Sequence, residues 1–138
     1  MKDWAVYSLL ALLVWGFWGF LPKVAVNSLD PKTAFVYEVI GGAATGLIGF
    51  LIFRPELAGA EMRGIVPSVL TGVAGCLGLL FFLYALREGK VSIIAPLTAL
   101  YPVVSLALAM IFLKERISAV QFTGIVLAVV SVFLISYE

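Results

Sequence analysis

The sequence has no histidine, a single cysteine and few charged side chains among its 138 residues. Without histidine there is no imidazole for acid–base catalysis, and one thiol, Cys76, excludes an internal disulfide and ordinary soft-metal sites. Charged residues make up 12% of the chain, about half the share found in soluble domains. The formal net charge of +1 gives no electrostatic reason to expect a nucleic-acid partner.

Apolar residues, 63% of the chain, form five runs that are each long enough to cross a bilayer. The runs cover residues 4–24, 33–53, 65–86, 91–113 and 117–137. All charged residues except Lys23 and Glu38 fall outside these runs. The pattern predicts an all-α polytopic membrane protein in which residues 1–138 form a single domain of five transmembrane helices in the lipid bilayer. The runs lack the alternation of barrel strands and are about twice as long, which argues against a membrane β-barrel.

Local signals predict where helices begin and which faces pack. Asp30-Pro31 is typical of a helix N-cap followed by a proline in the first turn. We expect Glu115, in the turn before the fifth run, to cap that helix or to pair locally. Gly42 and Gly46, like the glycines of the third run, are expected to mark faces where helices approach closely.

The distribution of Lys and Arg bears on orientation in the membrane. With five spans, five basic residues lie on the N-terminal side (Lys2, Arg54, Arg63, Lys114 and Arg116) and four on the other (Lys23, Lys32, Arg87 and Lys90). An excess of basic residues normally faces the cytoplasm, and here there is almost none. Two interpretations stay open: one orientation set by the first helix, or dual topology with pairing into an antiparallel homodimer.

Several short segments resemble the repeat of EamA-type transporters in the drug/metabolite transporter superfamily. The resemblance rests on Ala95-Pro96-Leu97, Leu100-Tyr101-Pro102-Val103, the segments 112–118 and 124–128, and Trp15-Gly16 in the first helix. Most such proteins have ten helices in two five-helix repeats of opposite orientation, so this chain is similar to the single-repeat bacterial and archaeal subgroup. It departs from the family pattern at Tyr37-Glu38, where an arginine is common. It also lacks the first-helix carboxylate of the small multidrug resistance relatives, so their proton antiport is not carried over.

The resemblance implies a function in transport rather than enzyme activity. It implies a secondary transporter of the prokaryotic plasma membrane that exports a small metabolite or drug-like solute by alternating access, as a dimer of single repeats. No cofactor is expected, and coupling to protons or sodium is left open. Two alternatives stand beside this interpretation: a non-transporting membrane subunit, and a component of a lipid-linked sugar flippase that works with a partner chain.

Five polar or aromatic side chains are candidates for contact with a substrate. They are Trp15, Trp18, Glu38, Thr98 and Tyr101, and a rise of 1.5 Å per residue places them in one layer about 16 to 22 Å from the N-terminal side. Trp and Tyr prefer the membrane interfaces, so their depth favours a central cavity. The alternative is that the large rings fill space between helices.

Glu38 is the candidate with the strongest physical constraint. A carboxylate at the centre of a membrane helix costs on the order of 2.5–3.5 kcal/mol. One interpretation is proton coupling or pairing with a cationic group. The other is a structural role, with Glu38 reaching towards Lys32.

Pro96 and Pro102 are expected to interrupt the fourth helix. Neither has an N–H group, so the carbonyls of Ser92 and Thr98 lose their usual partners. The interruption predicts either a gate beside the aromatic layer or a curved packing helix.

Overall fold

The structure is a computed structural model that describes residues 3–137, and helices occupy most of this range. Helix α1 covers Asp3–Ser28, α2 Pro31–Phe53, α3 Met62–Glu88, α4 Val91–Thr98, α5 Tyr101–Leu108 and α6 Ala119–Ser136, with a π-helical turn at Ala109–Leu113. Helices α4 and α5 and the π-helical turn together form the fourth span, Val91–Leu113. Within the described range five spans are long and apolar enough to cross a membrane, and no residue is in a strand. This confirms the predicted all-α polytopic class.

The described chain divides into two compact units, the first ending at Glu88 and the second beginning at Gly89. A single domain over residues 1–138 stays a prediction. Lys2, one of the residues counted for membrane orientation, lies outside the described residues. The helices extend beyond several predicted ends, since α1 continues through Pro22 to Ser28 and α3 begins at Met62.

Asp30 determines where α2 begins. Its Oδ1 accepts hydrogen bonds from the backbone N–H groups of Lys32 at 3.0 Å and Thr33 at 3.2 Å, and the Thr33 hydroxyl donates to Oδ2. Pro31 follows in the first turn, where its missing N–H needs no partner. The predicted cap is confirmed. The hydrogen bonds from the Thr33 side chain and backbone hold the pKa of the Asp30 carboxyl below its ordinary value of 3.8.

The three helices of the first unit pack at one end, which we call the packed end. It comprises the last turns of α1, the first turns of α2 and the last turns of α3, which carry the buried residues of this unit, and α3 contacts both other helices. The buried residues follow helical spacing: Pro22 and Val26 of α1, Pro31 and Ala34 of α2, and Leu79, Phe82, Leu83 and Leu86 of α3. Spacing of three and four residues puts each set on one helix face, so the core of this unit is a short apolar cluster at one end of the three helices.

The glycines outside the packed end do not bring helices together. A Cβ built on Gly42, Gly46, Gly72 or Gly75 would meet no atom within 4 Å, and the same holds for Gly124 of α6. The expectation that Gly42, Gly46 and the glycines of the third run mark close helix contacts is therefore wrong within the described chain. The larger apolar residues of the packed end make those contacts instead, so the glycine faces stay open to lipid or to another chain.

In the second unit the fourth span is interrupted between Thr98 and Tyr101. Pro102 cannot donate to the Thr98 carbonyl, and the chain makes tighter turns, with Leu100 N–H donating to Leu97 O at 3.2 Å and Val103 N–H to Leu100 O at 2.9 Å. Pro96 lies inside α4 without ending it. The span closes in the π-helical turn, where Lys114, in the left-handed conformation, donates its N–H to Ala109 O.

Helix α6 contacts α4 and begins with a reciprocal cap. The Ser118 hydroxyl accepts from Gln121 N–H at 3.2 Å, while Gln121 Oε1 accepts from Ser118 N–H at 2.8 Å. The expectation that Glu115 caps this helix is wrong. Ser118 is followed three residues later by a glutamine, which is the pairing that satisfies two helix-terminal donors at once.

Candidate functional site

Glu38 lies on the packed face of α2, one turn after Ala34, which is 1% exposed. Its Oε1 atom is buried and accepts no hydrogen bond from any residue in the described range 3–137. Oε1 therefore makes no hydrogen bond to Lys32, which is the contact that the structural alternative predicts. A carboxylate oxygen shielded from solvent without a donor is costly in a membrane helix, so Glu38 is the candidate that most needs an external partner.

Two basic residues at the packed end hold the ends of α1 and α3 together, an arrangement we call the cation clasp. Lys23 Nζ of α1 donates to Leu86 O of α3 at 2.7 Å, and Arg87 Nη1 of α3 donates to Val26 O of α1. Cations near a helix C-terminus favourably bind its last carbonyls. Each helix of the pair thus supplies a cation to the carbonyl end of the other.

Sequence reasoning missed the cation clasp, although part of its signal was visible. Lys23 and Arg87 both fall near the C-terminal ends of apolar runs, where basic side chains are expected to bind carbonyls. The pairing itself joins residues more than 60 positions apart, and no local pattern reveals which two helix ends meet.

The structure places the two candidate tryptophans of α1, Trp15 and Trp18, in different surroundings. Trp18 stacks on Phe82 of α3, with ring centroids 5.6 Å apart and an angle of 13° between the planes. Its side chain is nevertheless 48% exposed, so part of the indole stays accessible. Trp15, one turn earlier, is 60% exposed. The structure therefore fixes Trp18 against the core, whereas Trp15 stands outside the packed end.

Thr98 and Tyr101 flank the interruption of the fourth span. The Thr98 hydroxyl donates within its own helix, to Ile94 O at 2.9 Å and Ala95 O at 3.0 Å. Tyr101 begins α5, and its side chain is 57% exposed. The threonine hydroxyl is thus engaged within its own helix, while the phenol of Tyr101 is available for an external contact.

An open groove that sequence reasoning did not foresee lies in the second unit, between the start of α5 and α6. Its volume is about 460 Å³, and its lining includes Ala99, Pro102, Leu106, Gln121, Gly124 and Ala128. Neither Thr98 nor Tyr101 lines it. The lining is almost entirely apolar, and Gln121 Oε1 already accepts from Ser118 N–H, so the groove can accept an apolar group but offers little chemistry for recognition.

Metal chemistry finds no support in the described range. No three His, Cys, Asp or Glu residues between positions 3 and 137 come close enough to hold a metal ion. Cys76 is a free, exposed thiol on α3.

Comparison with known proteins identifies relatives of this chain by sequence. The model of a family described as the EamA-like transporter family matches residues 2–137. An uncharacterized protein of Methanocaldococcus jannaschii is 30% identical over 131 residues, which are 95% of this chain and 94% of that protein. No solved structure matches the chain. The family match confirms the resemblance predicted from the sequence.

Proposed function

The chain belongs to the EamA-like transporter family, and from that premise we propose that it is a secondary transporter that exports a small metabolite or drug-like solute across the prokaryotic plasma membrane. The observation that carries the proposal is the extent of the family match, which covers residues 2–137 and all five candidate spans. Transport by alternating access then needs two halves that rock about a site near the membrane midplane.

We propose that a second copy in the opposite orientation supplies the other half. The near-even division of Lys and Arg between the two sides, five against four, supports insertion in both orientations because orientation follows an excess of basic residues. The open glycine faces of α2 and α3 support the pairing as well. Small residues let helix backbones approach closely in lipid, where no hydrophobic drive brings helices together.

The proposed solute contacts are Trp15, Trp18 and Glu38 in the first unit and Thr98 and Tyr101 in the second. Glu38 has the strongest support, because its buried oxygen has no donor in the described range. The exposed rings of Trp15 and Tyr101 offer apolar contact surface. We assign Pro96 and Pro102 to the gate, since the interrupted fourth span is the least regular of the five.

The location of the two chain ends tests the antiparallel pairing. Reporters active on one side of the membrane only are fused separately to the N-terminus and the C-terminus and scored in intact cells. We expect each terminus on both sides in comparable amounts. Reporters confined to a single side for each terminus would exclude the antiparallel homodimer. A membrane protein with a strong excess of cytoplasmic Lys and Arg serves as the control for reporter selectivity.

A further inference from the structure

The groove of the second unit extends from the loop before α6 to about the depth of the membrane midplane. Ile117 of that loop lines one end, and Gln121, Gly124 and Ala128 continue the lining along α6. Ala128 lies ten residues after the helix cap Ser118, which corresponds to about 15 Å along the axis. One leaflet makes up half of a hydrocarbon core of about 30 Å. The groove therefore has the length of a lipid acyl chain in one leaflet, whereas a helix that crosses the bilayer needs a face about twice as long.

The interruption of the fourth span separates the two walls of this groove. Helix α6 packs on α4, which precedes the interruption. Helix α5 follows the interruption and forms the opposite wall through Pro102, Val103 and Leu106. Gly124 keeps the α6 wall free of a side chain, and a Cβ built on it would meet no atom within 4 Å. The groove is thus a feature of the second unit alone.

The chemistry of the lining favours an apolar occupant. Every lining residue except Gln121 is apolar, and Gln121 Oε1 already accepts from Ser118 N–H at 2.8 Å. A polar solute would lose its hydrogen bonds to water in such a groove without gaining equivalent ones. An acyl chain has no hydrogen bonds to lose.

The loop at the surface end of the groove carries an excess of positive charge. Lys114, Glu115 and Arg116 connect the fourth and fifth spans and directly precede Ile117, and all three are exposed. Neither basic side chain has a hydrogen bond or an ion pair with another residue in the range 3–137. The positive end of the α6 dipole lies at the same level. Basic residues beside membrane helices attract anionic lipid headgroups, so charge and apolar surface complement the two parts of one lipid molecule.

We propose that the groove and the loop before it bind one anionic phospholipid. An acyl chain lies between α5 and α6, and the phosphate lies beside Lys114 and Arg116. The pairing of two copies proposed above uses the glycine faces of α2 and α3, so pairing and lipid binding engage different helices. The inference does not rest on the transport function, because a bound lipid is detected without measuring flux.

Native mass spectrometry of the full chain measures which lipid stays bound. The protein is released from a neutral detergent that contains equal amounts of dioleoyl phosphatidylglycerol and dioleoyl phosphatidylcholine, which have the same acyl chains and differ in net charge. We expect one phosphatidylglycerol per chain, in at least a fivefold excess over phosphatidylcholine. An excess of sn-glycerol 3-phosphate should not displace it, because this anion has no chain to occupy the groove.

A first set of variants tests the charges of the loop. Lys114→Asn combined with Arg116→Gln should reduce the excess of phosphatidylglycerol to less than twofold. Asparagine tolerates the left-handed conformation at position 114, where φ is 58°. Arg63→Gln is the matched control, since it removes one positive charge from another loop on the same side of the membrane. It should retain the full excess.

A second set of variants tests the groove. Gly124→Leu fills it and should lower the retention of both lipids at least fivefold, while leucine favours the helix more than glycine does. Val126→Leu adds bulk to α6 at a residue that does not line the groove, and it should leave retention unchanged. If Gly124→Leu loses helical circular dichroism, the comparison of the loop variant with Arg63→Gln decides.

Four results would overturn the inference. They are equal retention of the two lipids by the wild type, displacement of the lipid by sn-glycerol 3-phosphate, full retention in a folded Gly124→Leu variant, and an undiminished excess in the loop variant. Wild-type dimers that retain no phospholipid and dissociate in Gly124→Leu would also overturn it, because the groove would then hold a second copy of the chain.

Discussion

At the scale of single residues, Asp30 shows how one side chain sets the start of a membrane helix. It accepts two backbone N–H groups and the Thr33 hydroxyl at the point where Pro31 removes a donor that would have had no partner. All of these residues lie within four positions of one another. The cap can therefore be predicted from the sequence alone, because all of its residues are neighbours in the chain.

Removing this cap should destabilise the protein. Asp30→Ala leaves the N–H groups of Lys32 and Thr33 without an acceptor, and we expect the thermal midpoint in detergent to fall by a few degrees. Asp30→Asn retains an acceptor oxygen and should lose less. Equal midpoints for wild type and Asp30→Ala would contradict the assignment of the cap.

The lowered pKa of Asp30 also determines in which direction the stability of the protein changes with pH. The folded pKa of Asp30 lies below its unfolded value because Thr33 donates to the carboxylate. Its contribution to stability is therefore full above the unfolded pKa and is lost as pH falls through the folded pKa. Asp30→Asn should show a smaller loss of stability than the wild type when the pH is lowered below about 4.

At the scale of elements, the fourth span is the one that does not form a continuous helix. Its break coincides with Pro102, and the N–H groups of Leu100 and Val103 donate to the carbonyls three residues earlier in the chain. Irregular backbone at membrane depth is tolerated where protein or water satisfies its polar groups. The carbonyls that Pro96 and Pro102 leave without a helical donor are those of Ser92 and Thr98. The Thr98 hydroxyl donates to Ile94 O and Ala95 O, so it does not replace the two missing donors.

Pro102→Ala should join α4 and α5. The new N–H can donate to Thr98 O, and the distance along the axis between residues 92 and 105 should approach the value of a straight helix, about 20 Å. Spin labels at Ser92→Cys and Ser105→Cys in a Cys76→Ser background would measure it. If the break serves as a gate, flux should fall at least tenfold.

Pro67→Ala is the matched control for this change. Pro67 lies inside α3, which continues through it without a break. Its replacement should leave both flux and the label distance unchanged. A straightened fourth span with normal flux would show that Pro102 shapes the helix without gating it.

At the scale of the whole molecule, orientation depends on a small difference in charge. One more basic residue on the N-terminal side than on the other is too few to impose a direction. The fold itself is indifferent to the choice, because its described hydrogen bonds and buried residues lie within the chain and move with it. Changes in the number of basic residues should therefore alter the preferred membrane orientation without destabilising the fold.

Adding basic residues on one side should fix the orientation. Glu56→Lys with Glu61→Lys raises the count on the N-terminal side from five to seven against four, so that side should face the cytoplasm in nearly all copies. Flux should be lost if the functional unit is antiparallel. Co-expression with Arg54→Gln, Arg63→Gln and Asn27→Lys, which bias the opposite way, should restore it. Normal flux from the first variant alone would contradict the antiparallel arrangement.

The spans, the Asp30 cap and the family were predictable from sequence because each leaves a local signature. Five apolar runs, an Asp-Pro pair and a few short motifs suffice for them. The cation clasp, the Trp18–Phe82 stack and the groove beside α6 were not predictable, since each depends on which distant helices meet. The prediction of helix contacts at the glycines of α2 and α3 was wrong for a related reason. Small size permits two helices to approach closely but does not decide which of their surfaces meet.

The cation clasp also has a consequence for how the chain is made. Leu86 is added 63 residues after Lys23, and Arg87 is added 61 residues after Val26. At a synthesis rate of about 5–20 residues per second, several seconds pass between the addition of Lys23 and the addition of Leu86, whose carbonyl it binds. During that time Lys23 and Val26 at the end of α1 lack their hydrogen-bond partners on α3. The cation clasp therefore forms only after the third helix has been synthesised.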